Sequence, residues 1–165
     1  MKLLLRAVLL AALLALAWWL WTVFFPSPEK AIRKRLAALA QAASFKSNEG
    51  DLERFGNVAQ LGGFFTPDAQ VTLDIGGYGG HTFNGREEIM HVAAAGRQTV
   101  GSLQVEFVDP VIMLDADGQS ATVNLTLRGQ TPSDRNYVVE EMKLNLKKTD
   151  GRWHVARVES VKTLR

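Results

Sequence analysis

The feature that most constrains the fold is the C-terminal stretch of residues 137–161, in which apolar and polar side chains alternate. From residue 138 to residue 146 the even positions are mainly apolar and the odd positions mainly polar. A period of two predicts a β-strand with one buried and one solvated face. Asp150-Gly151 predicts a tight turn, after which Trp153 resumes the apolar face. Because an isolated hairpin is marginal in water, the rest of the chain must cover it.

The charge balance argues against a nucleic-acid partner. The 165 residues carry 19 basic and 17 acidic side chains, and only Lys2 and Arg6 are charged before Pro26. The chain from Pro26 onward is therefore neutral, whereas a nucleic-acid-binding domain is expected to be basic. The absence of cysteine excludes disulfides, thiolate metal sites and cysteine nucleophiles.

Residues 7–25 form an uncharged, almost wholly apolar run that predicts a transmembrane helix. Three tryptophans lie near its far end, where aromatic rings prefer the membrane interface, and Pro26 ends the helix. A cleavable signal peptide is the alternative, because Ala15-Leu16-Ala17 has the small-x-small form of a cleavage site. Cleavage there would leave Trp18 and its aromatic neighbours exposed, so an uncleaved anchor is favoured.

The flanking charges predict the orientation of this anchor. Lys2 and Arg6 favour a cytoplasmic N-terminus. Four basic residues beyond the segment pull the other way: Lys30, Arg33, Lys34 and Arg35. A very short tail beside a signal-like run usually stays inside, so we expect a single-pass protein of the bacterial inner membrane with its domain on the periplasmic side.

The chain divides into an anchor at residues 1–25, a Pro/Ser spacer at residues 26–28 and one domain at residues 29–165. Helical spacing of apolar residues predicts a first helix over residues 29–45, with basic residues on its other face. That basic face either contacts anionic lipid head groups or is an ordinary solvated face.

The remaining pattern predicts an α+β domain. A second helix runs from Asp51 to Gly62, and its inner side is predicted to carry Leu52, Phe55, Val58, Ala59 and Leu61. Thr66-Pro67-Asp68 is predicted to be a turn before the first strand. Strands are predicted at residues 70–75, 81–83, 103–114 and 121–127, and a third helix at residues 86–97 with Ile89, Val92 and Ala93 inward. Asp109-Pro110 predicts a bulge, and Asp117-Gly118 a second tight turn.

Four short motifs in this order resemble the nuclear transport factor 2-like superfamily, in particular its SnoaL-like (polyketide-cyclase-like) branch. They are FFTPDA at residues 64–69, FNGREEI at 83–89, GQSATV at 118–123 and LKKTDGRWHV at 146–155. The resemblance implies a strongly curved antiparallel sheet, wrapped as a cone around the N-terminal helices. It also implies a pocket between sheet and helices, and in many members a homodimer formed through the outer face of the sheet.

The resemblance places a ligand pocket inside the cone, lined by Phe55, Phe64, Phe65, Tyr78, Met142 and Trp153. Three residues are candidates for acid–base chemistry: Glu140, His81 and Asp74. Glu140 stands out because it occupies an inward position between Val138 and Met142, where desolvation raises the pKa of a carboxyl group. A shift of the strand register by one residue would instead turn it to solvent.

No two of these candidates form an acid–base pair in the sequence, and His81, His91 and His154 lack metal-ligand spacing. We therefore expect no metal and no cofactor. The favoured function is a non-catalytic domain that binds a small apolar ligand or a protein partner. The alternative is an isomerase- or dehydratase-like enzyme that uses one of the three candidates.

The anchor hypothesis predicts that the protein extracted from membranes keeps its N-terminus, because no signal peptidase removes residues 7–25. Edman sequencing or intact-mass measurement checks this. A mature protein that begins at Trp18 would show a cleaved signal peptide instead.

Overall fold

A computed structural model describes residues 12–16, 27–47, 49–74, 80–131 and 137–161. Residues 12–16 are helical, but most of the predicted anchor lies outside the described residues. Within the described ranges, no helix is both long and apolar enough to span a membrane.

The described domain contains three helices and six strands. The helices are α1 (Pro28–Ala43), α2 (Asp51–Gly62) and α3 (Arg86–Thr99). The strands are β1 (Phe65–Leu73), β2 (His81–Asn84), β3 (Gln104–Leu114), β4 (Ser120–Gln130), β5 (Val138–Thr149) and β6 (Arg152–Ser160). The predicted α+β class is confirmed. The predicted turn at Thr66-Pro67-Asp68 is wrong, because these residues already belong to β1, whose register against β6 shifts there.

All six strands form one curved sheet in the order β2-β1-β6-β5-β4-β3. The sheet is mixed, not antiparallel as expected, because β1 and β6 run parallel, with Phe65 beside Val155 and Val71 beside Val158. The predicted C-terminal hairpin is confirmed, since β5 and β6 pair antiparallel from Thr149 and Arg152 onward. It occupies the middle of the sheet.

Two tight turns lie at one end of the sheet, which we call the turn end. Asp150 and Gly151 have φ values of 52° and 75°, the left-handed conformation that a primed hairpin turn requires. In the other turn, Asp117 accepts backbone hydrogen bonds from Gln119 (2.8 Å) and Ser120 (3.0 Å). These bonds hold the pKa of the Asp117 carboxyl below its ordinary value.

The opposite end of the sheet, where β1 and β6 finish and β3 and β5 begin, is called the far end.

The predicted bulge in β3 is confirmed, since the register against β4 shifts between Val108 and Val111 and Asp109 has a φ of 49°. Such a bulge increases the local bend of a strand.

The apolar face of the central hairpin supplies the core, as its alternation predicted. Leu144 and Leu146 on β5 are 2% and 1% exposed, and Trp153 and Val155 on β6 are 4% and 2% exposed. The helix α1 covers them with Ile32 and its neighbours. Complete burial of one such side chain contributes about 1.5–3 kcal/mol.

The predicted inner face of α2 is confirmed for Val58 and Leu61 and is wrong for Leu52, Phe55 and Ala59. Leu52 and Phe55 are 87% and 76% exposed, and Ala59 on the same stripe is exposed as well. The helix packs through the stripe of Val58 and Leu61. Asn57 lies on the same side, and its amide donates a hydrogen bond to the Glu49 carboxylate. Val92 of α3, also expected to face inward, is 41% exposed.

The burial pattern predicts different costs for truncating two leucines. Leu144→Ala removes a side chain that is 2% exposed and should lower the free energy of unfolding by about 2–5 kcal/mol. Leu52→Ala, at an exposed helix position, should change it by less than about 0.5 kcal/mol. Urea denaturation of both variants measures the difference. Equal losses would contradict the assigned face of α2.

Candidate functional site

A buried ion pair joins α3 to the segment between α1 and α2. Arg97, in the last turn of α3, is 6% exposed. Its Nη1 donates to both carboxylate oxygens of Glu49 at 3.0 and 2.8 Å, and its Nη2 donates to the Ala42 carbonyl at 2.6 Å. Asn57 of α2 donates to the same carboxylate at 3.0 Å, and the guanidinium lies over the Phe45 ring at 4.9 Å. We call this network the Glu49–Arg97 lock.

The lock fixes the segment that follows α1 against the start of β3. Phe45 and Leu103 exchange backbone hydrogen bonds of 2.8 and 3.0 Å. One residue earlier, Ser44 accepts the backbone N–H of Val105 at 2.9 Å. A buried ion pair is tolerated when further hydrogen bonds accompany it, and the Ala42 carbonyl and the Asn57 amide supply such bonds to Arg97 and Glu49.

A groove of about 760 Å³ opens beside this segment at the far end. Amide side chains line it from three elements: Gln41 of α1, Gln104 of β3 and Gln130 of β4. Gln104 and Gln130 face each other directly in the β3–β4 register. The volume lies within the range of small-molecule sites. We call it the far-end groove.

The other lining residues of the far-end groove mix apolar, hydroxyl and charged groups. They are Ser44, Phe45, Lys46, Glu49, Glu53, Ser102, Leu103 and Thr131. An amide carries two donors and an acceptor, and a hydroxyl both donates and accepts. The groove therefore offers hydrogen bonds of both kinds beside the apolar Phe45 and Leu103. None of its lining residues was among the predicted site residues.

The structure does not bring the three acid–base candidates together. Glu140 is half-buried on the inner face of β5 opposite Leu127, as its alternation predicted. His81 is exposed on the edge strand β2, three strands away, which is about 14 Å along the sheet at the usual strand spacing. Asp74 follows β1, and its backbone N–H donates to Ser160 Oγ at 3.0 Å. None of the three lines the far-end groove.

The predicted pocket residues have separate fates. Phe64, Phe65, Met142 and Trp153 are all buried in the main core cluster. Phe55 is exposed on the outer stripe of α2, and Tyr78 lies outside the described residues. In the described ranges, no group of three or more histidine and carboxylate side chains is arranged to hold a metal ion. The homodimer through the outer sheet face stays a prediction.

The family follows from a match to the model of the SnoaL-like domain over residues 31–159. The chain belongs to the SnoaL-like domain family. No curated protein sequence matches this SnoaL-like chain. The match confirms the resemblance drawn from the four motifs.

Solved structures share the fold of this SnoaL-like domain at low sequence identity. A protein of unknown function with a cystatin-like fold from Nostoc punctiforme is 17% identical, with 82% of this chain and 92% of that one covered and a TM-score of 0.59. An NTF2-like protein of unknown function from Pseudomonas putida is 13% identical, with 86% and 90% covered and a TM-score of 0.61. A candidate scytalone dehydratase from Novosphingobium aromaticivorans is 16% identical, with 82% and 84% covered and a TM-score of 0.59. At these identities the likeness establishes the fold alone.

Sequence reasoning missed the Glu49–Arg97 lock. Glu49 lies between the first two predicted helices, where no sequence pattern indicates burial. A signal did exist for Arg97, because it falls four and eight residues after Ala93 and Ile89 and so lies on the buried stripe of α3. A charged residue on an apolar stripe indicates a buried partner.

Breaking one half of the lock should destabilise the SnoaL-like domain strongly. Arg97→Met leaves the Glu49 carboxylate buried without its cation and should lower the free energy of unfolding by about 3–5 kcal/mol. The double variant Arg97→Met with Glu49→Gln should recover part of that loss. Chemical denaturation of both variants measures these changes.

An exposed ion pair of the same length provides the control. Arg157 and Glu159 also lie 2.8 Å apart, but their side chains are 50% and 35% exposed. Arg157→Gln should therefore cost no more than about 1 kcal/mol. If Arg97→Met and Arg157→Gln lowered the free energy of unfolding by similar amounts, burial of the lock would not increase its contribution to stability.

Proposed function

We propose that this SnoaL-like domain is held at a membrane by residues 7–25 and binds a small ligand in the far-end groove without converting it. The observation that carries the proposal is the separation of two features. The groove that suits a ligand is lined by amides, hydroxyls and the charged Lys46, Glu49 and Glu53, and Glu49 is already paired with Arg97. The acid–base candidates Glu140, His81 and Asp74 lie elsewhere.

The lining of the groove narrows the class of ligand. A wholly apolar ligand would bury Gln41, Gln104 and Gln130 without partners, at a cost of about 1–3 kcal/mol for each unsatisfied polar group. A ligand with hydrogen-bonding groups and one apolar face avoids this cost. The apolar ligand expected from the sequence is therefore replaced by an amphipathic one, with its apolar face against Phe45 and Leu103.

Contacts on both walls of the groove favour a site that is already formed before the ligand binds. The Glu49–Arg97 lock, the Phe45–Leu103 bridge and the Ser44–Val105 hydrogen bond hold one wall, and the β3–β4 ladder holds the other. A site formed before the ligand arrives loses less conformational entropy on binding.

The rival function is a dehydratase- or isomerase-like activity. It is favoured by one observation, the half-buried position of Glu140 on the inner face of β5. General acid–base catalysis requires each group within hydrogen-bond reach of the substrate. With His81 about 14 Å away along the sheet, the two side chains are poorly placed to share one small substrate.

The membrane attachment rests on the uncharged run of residues 7–25 and its terminal tryptophans. The spacer leads directly into α1, where Ser27 accepts the backbone N–H of Lys30 at 3.4 Å and Pro28 is the first helical residue. The folded domain therefore begins within a few residues of the proposed anchor. We place it on the periplasmic side.

Paired substitutions in the groove test the binding function. The full-length chain in detergent micelles is screened by ligand-observed NMR against a fragment set of amides, saccharides and aromatic alcohols. For a fragment that binds, the double variant Gln104→Ala with Gln130→Ala should weaken the affinity roughly tenfold, because two hydrogen bonds are lost. Gln70→Ala, on the outer face of the sheet, should leave it unchanged.

The same samples separate binding from catalysis. The bound fragment should remain chemically intact over a day, and Glu140→Gln should not alter its affinity. A fragment that is dehydrated or isomerised by the parent protein and not by Glu140→Gln would establish the enzyme instead.

A further inference from the structure

Basic side chains converge at the turn end, away from the far-end groove. Arg35 of α1 donates from Nε to the Trp153 carbonyl at 3.0 Å and from Nη2 to the Gly63 carbonyl at 2.7 Å. Its guanidinium also lies 4.0 Å from the centre of the Phe64 ring. One positive group is thus fixed at the junction of α1, β6 and the end of α2.

A second arginine is fixed in the same way. Arg86, the first residue of α3, donates from Nε to the Phe65 carbonyl at 3.1 Å, and its Nη2 contacts the same oxygen. Phe65 pairs with Val155 on β6, so the Arg86 guanidinium is held beside the residue that follows His154. Arg152 and His154 complete the group from β6. We call Arg35, Arg86, Arg152 and His154 the turn-end cluster.

Among the described residues, no acidic side chain forms an ion pair with the turn-end cluster. The side-chain ion pairs are those of Arg54, Arg97 and Arg157, and none involves the three arginines of the cluster. Lys147 of β5 lies directly opposite His154 and adds another positive charge there, and the exposed Asp68 of β1 has Lys147 as its electrostatic neighbour. Backbone carbonyls therefore hold Arg35 and Arg86 in place without neutralising their charge.

The electrostatics of His154 reflect this excess of positive charge. Burial lowers its pKa, and the charges of Arg35, Arg86 and Arg152 lower it further, against a smaller opposing hydrogen bond with the Arg152 backbone. Burial and the neighbouring Arg152 likewise lower the pKa of Arg35. Repulsion of this kind is relieved when an anion binds.

We propose that the turn-end cluster binds a phosphate group. Within the described residues, the Nη1 groups of Arg35 and Arg86 and the whole guanidinium of Arg152 have no hydrogen-bond acceptor. The planar fork of arginine matches the oxygens of phosphate, and a guanidinium already held in place loses less freedom on binding. His154 takes up a proton as the anion binds and adds a further donor.

The phosphate can belong to a soluble compound or to a lipid head group. Arg35 lies seven residues into α1, so the cluster is about 10 Å along the helix axis from the residue that follows the spacer. The lipid source rests on the proposed membrane anchor, whereas the soluble source does not. Neither depends on the far-end groove.

The His154 ring reports on binding. The full-length chain is placed in dodecyl maltoside micelles, which contain no phosphate, and inorganic phosphate is titrated against an equal ionic strength of chloride. The three histidines of the chain are resolved by proton NMR, and His154→Gln assigns the relevant resonance. We expect a saturable shift with phosphate alone and a rise in the pKa of His154, because a nearby anion favours the imidazolium.

Two variants test which residues form the site. Arg152→Gln removes an exposed cation that holds no part of the fold together, and should weaken phosphate binding about tenfold. Arg128→Gln removes an exposed arginine of β4 near the far end, outside the lining of the far-end groove, and should leave the binding unchanged. If both substitutions weakened phosphate binding equally, the binding would reflect only the overall positive charge of the domain, and the proposal would be overturned.

Doping the micelles with phosphatidic acid distinguishes the two sources. If the lipid is the ligand, a few molar percent of phosphatidic acid should shift the His154 resonance and displace inorganic phosphate. If a soluble compound is the ligand, inorganic phosphate should act and the lipid should not. A His154 resonance that responds to neither would overturn the proposal. Loss of fragment binding in the Gln104→Ala and Gln130→Ala double variant would bear on the proposed function of the far-end groove and not on the phosphate site.

Discussion

The Glu49–Arg97 lock is the interaction on which the wall of the far-end groove depends. Three helices meet at this ion pair: α3 supplies the guanidinium, α2 supplies the Asn57 amide to the carboxylate, and the end of α1 supplies a carbonyl to the arginine. Hydrophobic packing alone allows helices to slide and rotate. A buried charge pair that is also hydrogen-bonded to Ala42 and Asn57 tolerates little displacement, so it holds Phe45 and Glu49 and with them one wall of the groove.

The strands and turns were predictable because their signals are local. Alternation along β5 set the face of the core, and Asp150-Gly151 set the turn. The errors arose where two local solutions were nearly equal. The helix α2 carries apolar residues on two sides, and only the folded chain shows that Val58 and Leu61 are buried while Leu52 and Phe55 are exposed. The parallel pairing of β1 with β6 was also not predictable, because it joins strands far apart in the sequence and no local pattern indicates their relative direction.

The site was less predictable than the fold for the same reason. A polar residue within an apolar alternation, such as Glu140, can be recognised from the sequence. The amides of the groove cannot, because no such pattern surrounds them. Gln41, Gln104 and Gln130 are unremarkable in the sequence, and only the folded chain places them around one space. The cluster around His154 likewise gathers residues from α1, α3 and β6. Together the two regions give opposite ends of one sheet different chemistry. One end carries amides, hydroxyls and charged groups of both signs, and the other carries basic side chains held by backbone carbonyls.

The central position of the last hairpin has a kinetic consequence. Contacts such as that between Arg35 and Trp153 join residues 118 positions apart, and β1 has no inner neighbour until β6 is present. Closing such long loops slows folding. During synthesis, β1 lacks its inner neighbour until β6 emerges. Completion of the sheet therefore follows synthesis of β6, and the unfinished domain must be kept from aggregating until then.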